Sequence, residues 1–207
     1  MKRWLAMVCV ALALVSAGCG RSLAPIPPVN TPSPIALATA LADEWAILRQ
    51  APLQIPTLGA GEPCPVVPGR QVNPALGEAL GAGPLYLVGL GPQGQLDLSQ
   101  ANQQNGQFSM PVLLTTPPAY ITDMLVRGQP MDNPNAVLFS LSPGSQLLGE
   151  LQLSPDTAGT AAGADGDWLI WSAYLVVSGP GCYGLQIDGA GFSEVLVLNP
   201  GDTHTLR

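Results

Sequence analysis

Cys182-Tyr183-Gly184-Leu185-Gln186-Ile187, then Asp188-Gly189-Ala190-Gly191, then Phe192-Ser193-Glu194-Val195-Leu196-Val197-Leu198 is the stretch whose reading decides the fold. Tyr183, Leu185 and Ile187 alternate with small or polar residues, which is the two-residue period of a strand with one face in a core. Asp and Gly then supply a turn and an apolar run returns, so the spacing predicts a β-hairpin. Working back from it, strand-like runs occur at Leu85 to Leu90, Gln95 to Leu98, Phe108 to Thr115, Tyr120 to Val126, Ala136 to Leu141, Leu147 to Leu153 and Trp168 to Val177, each bounded by Gly, Pro, Asn or Asp. So many short, turn-bounded runs predict a mainly β domain over residues 51–207, built as a sandwich of two antiparallel sheets.

Upstream, Pro52, Pro56, Pro65 and Pro68 keep Ala51 to Gly69 irregular. Residues 35–50 differ: Ser33-Pro34 offers an N-cap with proline at the first helical position, and Leu37, Leu41, Trp45 and Leu48 form one stripe. This predicts one short amphipathic helix docked on the β domain. Its polar side carries Asp43 and Glu44 where a membrane-lying helix would carry Lys or Arg.

The N-terminus reads as an export signal over residues 1–18. Met1-Lys2-Arg3 is basic, and Trp4 to Val15 is apolar but shorter than the roughly 20 residues a membrane span needs. Ala17-Gly18-Cys19 resembles the lipobox of bacterial lipoproteins, although Ser16 stands where that motif usually has Leu. The resemblance implies cleavage before Cys19 and a lipid such as palmitate on its thiol. Ordinary secretion after Ala17 is the alternative. Residues 19–34, with Pro25, Pro27, Pro28, Pro32 and Pro34, read as a tether, either extended at roughly 3.1 Å per residue or simply without structure.

Charge narrows the partners. The chain carries 7 basic and 14 acidic residues, and losing Lys2 and Arg3 with the signal leaves arginine as the only strong cation. Such a surface repels phosphate backbones and anionic headgroups, so nucleic acid is excluded and a covalent lipid is the remaining hold on a membrane. The predicted location is the cell envelope, facing outside the cytoplasm, with a protein or glycan as partner. Of Cys9, Cys19, Cys64 and Cys182, the first leaves with the signal and the second takes lipid. Cys64 and Cys182 remain to form a disulfide outside the cytoplasm, and no CxxC spacing suggests redox exchange.

Two resemblances add to this. The closing hairpin is similar to the last two strands of immunoglobulin-like sandwiches, where a Gly-x-Tyr strand precedes the final one. Leu48-Arg49, Pro52-Leu53, Cys64-Pro65, Ala79 to Pro84, Arg127-Gly128, Gly181-Cys182-Tyr183 and Phe192-Ser193-Glu194, taken together, resemble a family of exported bacterial lipoproteins. That likeness implies export and a β-rich domain and brings no activity, cofactor or site residue.

The catalytic inventory is thin. Gly89-Leu90-Gly91-Pro92-Gln93-Gly94 spells GxGxxG, yet Gln95-Leu96-Asp97-Leu98 alternates like a strand where a dinucleotide site needs a helix, so a glycine-rich hairpin is expected. Asp165-Gly166-Asp167 with Asp156 could offer oxygens to calcium, but no further acid follows at the spacing of a calcium loop, and a solvated turn before Trp168 is expected. His204 is the sole histidine and lies near the C-terminus, which leaves neither a Ser-His-Asp triad nor a His/Cys zinc site. Glu78, Glu150 and Glu194 could serve a carboxylate-based glycan hydrolase, the alternative to a non-catalytic binding module. Trp168 and Trp171 lie three apart and so face opposite ways in a strand; core packing with incidental exposure of one ring is expected, and a ring that stacks on a ligand is the alternative.

Overall fold

The computed structural model describes residues 45–65, 67–91, 95–132, 135 and 137–201. Cys19, the tether, residues 35–44 of the expected helix and His204 lie outside the described residues. Helix is present over residues 45–49, and thirteen strands follow among the described residues. They are β1 (Arg70–Asn73), β2 (Gly77–Leu80), β3 (Tyr86–Val88), β4 (Gln95–Asp97), β5 (Asn102–Gln104), β6 (Gln107–Thr116), β7 (Met124–Pro130), β8 (Leu138–Ser140), β9 (Leu151–Leu153), β10 (Gly159–Ala161), β11 (Trp168–Val177), β12 (Tyr183–Gly189) and β13 (Phe192–Gly201).

One sheet runs β1-β2-β3-β6-β11-β10, with β5 beside β6 and β8 beside β11; the other runs β4-β13-β12-β7-β9. All pairings are antiparallel except β4 with β13. The quartet β3-β6-β11-β10 and the trio β7-β12-β13 fall in the chain order of the two sheets of an immunoglobulin domain, with β4 and β9 extending the second. Tyr183 adds the corner that belongs to this fold: its hydroxyl donates to Gly179 O at 2.9 Å, just ahead of the strand. The fold is therefore an immunoglobulin-like antiparallel β-sandwich preceded by a short helix.

The core follows from alternation. Met110, Val112 and Leu114 of β6 and Trp171, Ala173, Leu175 and Val177 of β11 face Met124 and Val126 of β7, Tyr183, Leu185 and Ile187 of β12, and Leu196 and Leu198 of β13. The other face of β12 is buried as well, because residues 51–58 cross it as a strap. Ile55 sits on Gly184, where a Cβ would collide with the isoleucine, and Leu58 N donates to Met131 O at 2.7 Å. Cys64 and Cys182 form the expected disulfide, with Cα atoms 5.5 Å apart, and fasten the strap's continuation to the start of β12.

Several expectations need correction. Tyr120 to Asp123 belong to the β6–β7 loop, since the turn closed by Tyr120 N on Pro117 O delays the strand to Met124. Among the described residues the glycine stretch is flanked by a local antiparallel bridge, Gly91 with Gln95, but β3 and β4 join different sheets and do not pair with each other as the two strands of a hairpin. β1, β2, β5 and β10 carry too little alternation to be read as strands in advance. Both Trp168 and Trp171 are buried, at 5% and 6% exposure, so neither is a free platform. Trp168 does face away from the core, but Gly163 is so close that a Cβ there would lie 2.6 Å from the indole, and the Tyr86 ring stands 6.0 Å away.

Candidate functional site

Short loops at one end of the sandwich converge. The β6–β7 loop supplies Ile121, Thr122 and Asp123, the β9–β10 loop supplies Pro155 and Asp156, and the β12–β13 turn supplies Ala190; with Ile47 of the helix they line a cleft of about 530 Å³. In immunoglobulin variable domains the loops clustered at one end of the sandwich are the ones that bind. Here Ile47 and Ile121 stand 65% and 67% exposed. Two large apolar side chains held in water at the mouth of one cleft are a cost unless something covers them.

The loops are positioned by packing beneath them. The Tyr120 ring meets Phe192 edge to face at 5.4 Å, tying the β6–β7 loop to the first residue of β13. Gly189 lets the rings close over the end of β12, since a Cβ there would strike both Phe192 and the Tyr120 hydroxyl. The Thr122 and Tyr120 hydroxyls are buried without a hydrogen-bond partner among the described residues. On the helix side, Arg49 grips Glu150 through two donors, at 2.5 and 3.0 Å. That pairing holds the Glu150 carboxyl below the usual carboxylate range.

A second layer lies under the strap. Asp188 accepts from Arg127 at 2.6 Å, Gln186 at 2.9 Å and Ser193 at 2.8 Å. Arg127 also donates to Ala51 O at 2.6 Å, and Gln186 to Pro52 O at 2.9 Å. Apart from Arg127 Nε, which has no partner among the described residues, these buried polar groups are satisfied by the strap or by the sheet, and the network acts as a clamp on the strap.

The carboxylates expected for glycan hydrolysis do not meet. Glu150 is spent on Arg49, Glu78 leans over Gly69, and Glu194 accepts the Ala82 amide at the β2–β3 turn. Asp165 and Asp167 are exposed in the β10–β11 loop, and no trio of Asp, Glu, His or Cys among the described residues is placed to hold a metal ion. Glu194 is nevertheless unusual: burial pushes its carboxyl above the ordinary range, opposed by the Ala82 and Gly83 amides and by Arg70. A group raised on folding binds more protons folded than unfolded. Its contribution to stability is present below the ordinary glutamate value and is lost as pH rises through the raised one. Glu194→Gln should therefore flatten the fall in stability with rising pH across that window, seen in denaturant melts at stepped pH; an unchanged slope refutes the assignment.

Sequence reading missed this cleft because nothing in the order of residues says that residues 47, 121, 156 and 190 are neighbours. Compared with models of protein families, with curated proteins and with solved structures, the chain matches none.

Proposed function

We propose that the chain is an extracytoplasmic lipoprotein, anchored in a bacterial membrane by lipid on Cys19, whose immunoglobulin-like domain is a non-catalytic binding module. The observation that carries the binding half is the loop-end cleft with Ile47 and Ile121 exposed at its mouth. The Cys64–Cys182 bridge supports the export half, because disulfides persist in oxidising compartments. The lipobox resemblance at Ala17-Gly18-Cys19 supports the anchor.

Cys19→Ala tests the anchor. In cells fed an alkyne analogue of palmitate, the native chain should be labelled and sediment with membranes, while the variant should be unlabelled and recovered in the soluble extracytoplasmic fraction. Equal labelling of both forms, or an unprocessed reduced chain in the cytosol, removes the proposal.

A further inference from the structure

We propose that the loop-end cleft binds a peptide segment in which apolar side chains are flanked by basic ones. This rests on the cleft being the binding site, and adds the chemistry of what it takes. The walls decide the first half: Ile47, Leu48, Ile121, Pro155 and Ala190 present hydrocarbon, and two of these side chains are mostly in water. An apolar side chain entering between them removes that surface from water on both partners.

The rim decides the second half. Asp123 and Asp156 line the same cleft. Asp165 and Asp167 extend the acidic surface at this end, where Gly166 packs against Pro118 of the β6–β7 loop. The described arginines are committed elsewhere: Arg49 to Glu150, Arg127 to Asp188, and Arg70 to Ala82 O with its guanidinium over the Tyr86 ring. Among the described residues the rim therefore keeps a negative field that no arginine offsets, next to an apolar slot, and a cation beside an apolar side chain satisfies both. A second copy of this end brings aspartate against aspartate and is disfavoured by charge.

The test uses the mature chain with its disulfide intact and a fluorescein-labelled hexapeptide, Lys-Leu-Ile-Leu-Lys-Gly, read by anisotropy. Two control peptides carry Glu for both lysines, or Ser for the three apolar residues. The lysine peptide should bind, the Glu peptide at least about tenfold more weakly, and the Ser peptide not at all. Asp123→Asn with Asp156→Asn should weaken the lysine peptide by about three- to tenfold and flatten its salt dependence. Ile121→Ser, at an exposed loop position, should leave the melting temperature unchanged and weaken binding by about tenfold or more.

If the lysine and Glu peptides bind equally and Ile121→Ser still abolishes both, the cleft remains the binding site and the basic-peptide assignment is overturned. If neither a peptide nor a phosphatidylcholine vesicle binds, or Ile121→Ser has no effect, the cleft itself is refuted as the site. Binding of phosphatidylcholine vesicles lost on Ile121→Ser, with no peptide bound, assigns the cleft to a lipid surface and overturns the proposal.

Discussion

Replacing Cys64 and Cys182 together by alanine is expected to cost the domain about 5 kcal/mol at most, and not less than about 2. The cross-link joins residues 118 apart, so its loss releases a long closed loop in the unfolded chain. The chain-entropy model gives the upper figure, and measured losses of native disulfides span the range. A domain of this size has roughly 5–15 kcal/mol in hand, so the change decides whether the fold survives at body temperature. Urea melts of the double variant and of the reduced native protein should coincide at a lower midpoint. Amide exchange should rise first in residues 51–58, because the strap is fastened through Cys64 to the start of β12. A midpoint unmoved by reduction would show that the bridge holds nothing the sandwich does not hold already.

Arg127→Met is expected to cost about 3 kcal/mol, near the low end for breaking a buried ion pair by removing one partner. Side-chain exposure is 16% for Arg127 and 3% for Asp188, so the carboxylate would be left charged and out of water. The low end applies because Gln186 and Ser193 still donate to Asp188. The substitution also frees Ala51 O, loosening the strap at its N-terminal side. Adding Asp188→Asn to Arg127→Met should recover at least half of the loss, since the buried charge is gone. Chemical denaturation of the two single variants and the double variant measures the coupling. Strictly additive losses would mean that the pair is too solvated to matter.

These two sites show how far local pattern reaches. The alternation of β6, β11, β12 and β13 was readable because each strand has one face in the core, and the period of two survives any context. The strap over β12 was not readable. Gln186 and Asp188 occupy the positions that alternation assigns to water, yet both are buried, because Pro52 and Ile55 arrive from about 130 residues earlier in the chain. Trp168 shows the same limit. It points away from the core as its spacing demands, and the Gly163 turn covers it.

By itself the sequence determined that this is a mainly β chain with its closing hairpin at residues 182–198, and it pointed to Cys64 and Cys182 as a pair. Those conclusions depend on periodicity and parity, which are properties of the chain taken in order. Only the tertiary structure decided that β4 crosses to the opposite sheet beside β13, that the candidate carboxylates stay apart, and that Ile47 and Ile121 meet at one cleft. The physical reason is that a residue's spacing fixes which face it occupies, whereas what lands on that face depends on segments far away in sequence, brought there by burial of surface the local pattern cannot see.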